Sequence, residues 1–563
     1  MRLSTDEDRD KELALETIAA AAEAGITVFD TARAYGRDES DLGHNERLLA
    51  RALRRCGAHA RARIVTKGGM SRPGGAWIPD GRAKAIHADC EASLAALDGL
   101  AIDLYLIHAP DPRTPWRTSV RALARLVDDG LVRRVGLSNV NRVQLDEALE
   151  LAPVAAVEVA LSPYDDRAVR GGVVERCAEA GITVIAHSPL GGPRRAGGLA
   201  RQRPLADVAT AHGAASHEVA LAWLLELSPS LVAIPGARRP ETARSAARAA
   251  TVVLAEDDRT TLDRAFGRPR PAEHERRRPR PDADVVLVMG IPGAGKTRVA
   301  EEYVARGYVR LNRDERGGSL RELAQLLEDE LAADARRIVL DNTYLTRASR
   351  SYVIEAAARH RAHARCVWLD TPLAQAQVNL VERLLDRFGA LPAPEELREL
   401  AKREPGVHAP TSQMRAVREV EPPATDEGFA AVERMPFVRT ERRGRPGVFV
   451  AAAALEDPGW KPVLGQRARE APHLVFEWLP DGTPDALAAV TELLSREVSG
   501  PVEAALCPHG GGPPKCWCRP PLPGLPLEFA RAHGVDPARS ILIGTSPAHR
   551  TLAATLGAAY VTP

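Results

Sequence analysis

A chain of 563 residues is too long for one hydrophobic core and implies roughly three to four domains. Lys and Arg number 76 against 75 Asp and Glu, a net charge of +1, which excludes a globally basic nucleic-acid coat but not a local basic groove. No run of about 18 apolar residues and no basic-then-apolar leader occurs, so neither membrane spans nor secretion are expected and the chain reads as cytoplasmic.

Residues 1–265 alternate β-rich runs with amphipathic helical stretches. The strand runs are ITVFDTA (26–32), RIVTKGG (63–69), DLYLIHAP (103–110), RRVGLSN (133–139), AAVEVAL (155–161), ITVIAHSPL (182–190) and LVAIPGA (231–237). Repeated β-α units predict parallel strands with crossover helices. An open doubly wound sheet and a (β/α)8 barrel both fit, and chemistry-capable residues at successive strand ends favour the barrel. Only seven strands can be counted, so either the true start lies upstream of Met1 or the barrel lacks a stave.

Asp30 ends one strand, Tyr35 follows in its loop, Lys67 ends the next strand and His108 the one after. The segments FDTARAYG, TKGG, LIHAP and SNV resemble the aldo-keto reductases, NAD(P)H-dependent carbonyl reducers, over roughly 1–265. The resemblance implies that Tyr35 donates the proton to the carbonyl oxygen. It implies that Lys67, paired with Asp30, lowers the Tyr35 pKa, and that His108 orients substrate or relays the proton. Ser138 and Asn139 would hold the nicotinamide amide, and Arg238 and Arg244 the 2′-phosphate or adenine of NADP(H). Glu158 and Leu161 stand where the family has Gln and an aromatic, and Ala246 where it has Asn. These departures lead to the expectation that the barrel binds NADP(H) weakly or not at all and serves as a scaffold or oligomeriser.

Residues 266–283 are rich in Arg and Pro and read as a stiff, solvated spacer. Residues 284–440 then open with VVLVMGIPGAGKT, a buried strand, a Gly loop and a helix start. Gly290 to Thr297 fits G-x-x-x-x-G-K-[ST]. Gly290, Gly293 and Gly295 let backbone N–H groups converge on phosphate oxygens, beside the positive end of a helix. Lys296 reaches the β and γ phosphates and Thr297 ligates Mg²⁺, so ATP or another NTP is the expected ligand.

After the loop come Asn312-Arg-Asp314, LDNT (340–343), a Ser-Arg helix (348–357) and Glu421-Pro-Pro-Ala-Thr-Asp-Glu427-Gly-Phe429. In this order the motifs resemble the kinase domain of polynucleotide 5′-kinases, the end-healing kinases of DNA and RNA repair, over about 284–440. The resemblance implies Asp314 as general base on a 5′-hydroxyl and Arg316 on the acceptor's phosphate. It implies that Asp341 supports the metal or nucleotide site, and that a lid of arginines closes over the phosphates. Arg383 and Arg387, four apart on one predicted helix, fit that lid.

Residues 441–563 are rich in Pro and Gly, with strand candidates at VFVAAAA, HLVFEWL, VEAAL and SILIG. The chain has seven cysteines. Cys56, Cys90, Cys177 and Cys366 are scattered, as in a reducing compartment. The other three form, with His509, the pattern C-x-H-x6-C-x-C at Cys507, His509, Cys516 and Cys518, a donor set suited to tetrahedral Zn²⁺. The spacing resembles the zinc loop of heptose-bisphosphate-type phosphatases of the haloacid dehalogenase superfamily. That family's D-x-D nucleophile is missing from VFVAAAALED, its Lys is Pro520 and its Mg²⁺-binding Asp is Thr545. The expectation is a domain stapled by structural zinc and without phosphatase activity.

The chain is thus expected to be an α/β multidomain protein. A (β/α)8-type barrel spans 1–265, a linker 266–283, a P-loop parallel-sheet kinase 284–440 and a haloacid-dehalogenase-like zinc domain 441–563. The expected function is ATP-dependent phosphorylation of 5′-hydroxyl RNA or DNA ends in repair, with a ligase as partner and self-association favoured by the gap in the barrel. The alternative is an NADP(H)-dependent aldo-keto reductase with a regulatory or small-molecule P-loop kinase domain.

Overall fold

The computed structural model describes residues 1–267, 283–438 and 444–563. Most of the Arg- and Pro-rich spacer lies outside the described residues. The chain divides into two compact units, Met1–Glu273 and His274–Pro563. No helix among the described residues is long and apolar enough to cross a membrane.

The first unit is built on β1 (Val28–Asp30), β2 (Arg63–Gly68), β5 (Ile102–Ile107), β6 (Val135–Ser138), β7 (Val154–Ala160), β8 (Thr183–His187) and β9 (Leu231–Ile234). A small antiparallel hairpin, β3 (Met70–Ser71) with β4 (Ile78–Pro79), follows β2. The seven long strands are parallel and lie in the order β1-β2-β5-β6-β7-β8-β9. Most of the residues of the inner strands are buried on both faces, while β1 and β9 at the edges are partly exposed. Val65, Leu104, Leu106, Ala156 and Ile185 form an inner cluster, while Ile64, Tyr105, Ile107 and Val157 pack outward on the helices. This two-sided burial explains why the runs read as continuous apolar stretches.

The sequence shows seven strand runs of a (β/α)8-type barrel, and seven parallel strands are present among the described residues, leaving β1 and β9 as sheet edges. The first residues form a short helix, Arg2–Thr5, rather than a strand. Ser4 fixes that helix by hydrogen bonds with His44 Nδ1 and Asn45 Nδ2, both 2.8 Å.

The second unit contains two five-stranded parallel sheets. One comprises β10 (Asp284–Met289), β11 (Val309–Leu311), β12 (Arg337–Asp341), β13 (His363–Asp370) and β14 (Ala431–Pro436), in the order β11-β12-β10-β13-β14. The other comprises β15 (Val448–Ala451), β16 (His473–Trp478), β17 (Val502–Cys507), β18 (Ile541–Ile543) and β19 (Ala559–Val561), in the order β17-β16-β15-β18-β19. The helix Leu373–Phe388 joins them: Val378, Leu380 and Leu384 share a core with Phe449, Phe476, Trp517 and Leu525.

Within the first of these sheets the motif around Glu421 and Glu427 acts as a clamp. Arg350, fully buried in the helix Arg347–Arg359, donates to both Glu427 oxygens at 2.8 and 2.6 Å. Its Nη1 donates to the carbonyls of Glu421 (2.9 Å) and Tyr344 (3.1 Å). The motif therefore fastens this helix to the segment leading into β14. Glu427→Ala strands a buried guanidinium and is expected to destabilise the second unit by about 3–5 kcal/mol. Arg350→Met combined with Glu427→Leu should recover part of that loss. Calorimetric melting of the second unit checks both.

Candidate active sites

In the first unit the polar residues gather where the strands end, as in barrels that carry chemistry on that rim. The Lys67 ammonium, fully buried, lies 2.6 and 2.5 Å from the Asp30 oxygens and 3.1 Å from the Thr31 carbonyl. Glu158 Oε2 approaches it to 3.1 Å from β7. The ammonium also sits 5.3 Å from the centre of the Tyr35 ring. On its other side Tyr35 meets His108 edge-on, with centroids 5.6 Å apart. The four residues expected together are therefore brought together.

The electrostatics add a correction. Lys67 does pull the Tyr35 phenol toward ionisation, but burial pushes it further the other way, so its pKa ends above the ordinary value. Burial and the nearby cations lower His108 to about 3 and His187 to about 4, leaving both rings neutral. A neutral His108 can hydrogen-bond a carbonyl oxygen, and its Nδ1 is buried without a partner.

Asn139, at φ 58°, follows the buried Ser138. Its amide donates to the His108 carbonyl at 3.0 Å, and its Oδ1 lies 3.0 Å from His187 Nε2. Arg238 lies 3.1 Å from Asp6 and Arg244 3.7 Å from Glu23, so a cofactor phosphate must displace carboxylates to reach either. Sequence reasoning missed His187, Arg72 and Trp77, the last edge-on to both Tyr35 (6.2 Å) and His108 (5.7 Å).

Glu158 gives a pH signature. Burial and then Asp30 raise its carboxyl to about 8 from an ordinary 4.5, against the pull of Lys67. The folded chain therefore keeps this proton through a range in which the unfolded chain has released it. Stability contributed by this group falls as pH rises from about 4.5 to about 8. Glu158→Gln is expected to remove that slope, so its melting temperature should gain on the parent's between pH 5 and 8 in a thermal-shift series.

In the second unit the phosphate loop joins β10 to the helix Lys296–Val304. Gly293 has φ 85°, and a Cβ there would sit 2.3 Å from the Ala376 carbonyl oxygen, so no side chain fits. Three side chains pin the loop's carbonyls from outside. Asn379 holds Gly293 at 2.8 Å, Gln413 holds Pro292 at 3.0 Å and Thr371 holds Ala294 at 3.0 Å. The Lys296 ammonium folds onto the carbonyls of Gly290 (3.0 Å) and Ile291 (3.1 Å). Burial, then the charge of Arg383, lower it to about 8 against the pull of Asp341 and Asp314. A bound phosphate would raise it again by favouring the charged form. Thr297 is exposed at the helix start, open to a metal ion.

Lys296, Asp314, Arg383 and His408 lie within one another's electrostatic reach. Asp314 rides on the short helix Arg313–Arg316, capped by Asn312, whose Oδ1 accepts from the Asp314 N–H at 2.7 Å. Arg316 ends that helix, exposed. His408 was not foreseen; burial holds it at about 4. Asp341 is bound at both oxygens by Arg310 (3.0 and 2.8 Å) and at Oδ1 by Asn312, so it supports the site as a brace. Arg387 pairs with Glu404 and donates to the Pro405 carbonyl, while Arg383 alone of the two stands near Lys296.

Cys507, His509, Cys516 and Cys518 place one donor atom each within 4.8 Å of one another. Sulfur separations of 3.3 and 3.7 Å are far too long for a disulfide and suit the edges of a tetrahedral thiolate site. Trp517, between two of these cysteines, donates to the His408 carbonyl at 2.9 Å. About one zinc per chain is expected by atomic absorption. Its removal by a chelator should lower the second unit's melting temperature.

Residues 1–266 match the aldo/keto reductase family, and residues 285–404 match an AAA domain. An uncharacterised oxidoreductase of Schizosaccharomyces pombe is 30% identical over 260 residues, which are 46% of this chain and 80% of that protein. A probable aldo-keto reductase of Glycine max is 30% identical over 274 residues, 43% of this chain and 76% of that one. A solved aldo/keto reductase from Klebsiella pneumoniae, in complex with NADP and acetate, is 26% identical. That match covers 47% of this chain and 89% of its own, at a TM-score of 0.41.

Proposed function

Because the chain belongs, through residues 1–266, to the aldo/keto reductase family, we propose that its first unit is an NADP(H)-dependent carbonyl reductase and its second a P-loop phosphotransferase. The observation that carries the first part is the Tyr35 ring set between the Lys67 ammonium and the neutral His108. When bound, the reduced nicotinamide supplies hydride. Tyr35 donates the proton to the carbonyl oxygen, Lys67 lowers the cost of the phenolate left behind, and His108 holds the carbonyl oxygen in line. Asp30 and Glu158 fix Lys67. Ser138 and Asn139 would hold the nicotinamide amide, and Arg238 and Arg244 the 2′-phosphate. This reading departs from the expectation of a scaffold barrel. NADPH oxidation with a panel of aldehydes tests it, and no turnover with any aldehyde overturns it.

For the second unit, the grouping of Lys296, Asp314, Arg383 and His408 beside the phosphate loop supports kinase chemistry on a hydroxyl. The acceptor we favour is a polynucleotide 5′-hydroxyl, RNA or DNA, with Arg316 on its phosphate and a ligase downstream. Thr297 would carry Mg²⁺ and the cysteine cluster a structural Zn²⁺, in a haloacid-dehalogenase-like domain that has lost its nucleophile. Label transfer from γ-labelled ATP to 5′-OH RNA, DNA and nicked duplex tests the acceptor. Transfer only to nucleosides or sugars would assign a small-molecule kinase instead.

A further inference from the structure

The hairpin after β2 carries an arginine that the reductase chemistry does not use. Arg72 is 4% exposed. Its Nη2 donates to the Arg37 carbonyl at 2.8 Å. Its Nε and Nη1, which bear three N–H groups between them, are buried without an acceptor. Asp38 is the carboxylate whose field it feels, and among the described residues no carboxylate pairs with it. The guanidinium lies 3.7 Å from the centre of the Trp77 ring. Trp77 is the same ring that meets Tyr35 and His108 edge-on.

A buried cation with open donors is costly, because each unmade hydrogen bond forfeits the desolvation of its donor, more so for a charged group. Sites that retain such donors are completed by a ligand or by water. Here the ligand must be anionic, because the donors sit on a guanidinium. Trp77, in contact both with the guanidinium and with the Tyr35–His108 pair, places that ligand beside the carbonyl site. Stacking on Trp77 fixes the guanidinium plane and strengthens its hold on a planar oxyanion.

We propose that Arg72 and Trp77 form an oxyanion subsite of the carbonyl pocket, so that the substrates are aldehydes or ketones bearing a carboxylate or phosphate a few bonds from the carbonyl. This rests on the reductase reading above. The spacing of about one ring width favours an oxyanion at the far end of the molecule over one adjacent to the carbonyl.

The test compares kcat/KM with NADPH for 4-carboxybenzaldehyde, 4-formylphenyl phosphate and benzaldehyde, using the full chain. An anionic aldehyde is expected to be preferred by about tenfold or more, the size of one charge-assisted hydrogen bond. The better of the two anionic aldehydes tells carboxylate from phosphate. Arg72→Met should bring the preference close to one, and Trp77→Leu, at a half-exposed position, should reduce it should Arg72→Met fail to fold. The ratio cancels any general loss of activity. If benzaldehyde is reduced with no preference for either anion, the subsite is overturned and the reductase stands. If no aldehyde is reduced, the reductase reading fails, and calorimetry with benzoate and phenyl phosphate judges the subsite. Binding that is lost in Arg72→Met supports it, and no binding by the parent chain overturns it.

Discussion

Tyr35→Phe is expected to lower aldehyde reduction by about 10²- to 10⁴-fold, the usual range for removing a positioned general acid. The phenol is buried and keeps its proton through the working pH range, because burial outweighs the pull of Lys67. It therefore arrives at the carbonyl protonated, and Lys67 matters most once the proton has left. Phe keeps the ring contacts with Trp77 and His108 and removes only the hydroxyl. Cofactor affinity, measured by fluorescence titration, should stay within about twofold. A drop in turnover smaller than tenfold would remove Tyr35 from the donor role.

Lys296→Ala is expected to reduce phosphoryl transfer by at least about 10²- to 10³-fold, the cost of losing one preorganised charge at a transferring group. Asp314→Ala should lower transfer by a comparable factor while leaving NTP binding intact, since the carboxylate is half-exposed on a separate helix from the loop. Circular dichroism should show both variants folded. Full transfer by either variant defeats the assignment. Binding of a polynucleotide acceptor should weaken steeply between 50 and 200 mM salt, because phosphate contacts release counterions.

The seven parallel strands of the first unit were legible because each is rich in buried apolar residues and is set off by helical stretches. Three strands of the second unit were not. β11, β19 and β14 are mostly exposed or half-buried, so none of them carries an apolar run. The tetrad could be read because each member stands at or just after the end of a readable strand. Arg72 and Trp77 could not, because they sit in a Gly- and Pro-rich loop with no periodicity. The partner of Asp341 could not be read, because Arg310 faces it from β11, the neighbouring strand that sequence did not show. Asn379 lies four residues before Arg383 on one helix, a signal that could have been used. His408 had no local signal at all, since tertiary packing alone brings it to the phosphate loop.

Trp517 ties two chemistries together. Its indole holds the backbone of His408, and it is flanked on both sides by thiols of the metal-type cluster. Oxidising those thiols would loosen the hold on His408, whose ring lies within the electrostatic reach of Lys296 and Asp314. The phosphoryl transfer proposed for the second unit should therefore fade under peroxide in step with the loss of cluster thiols.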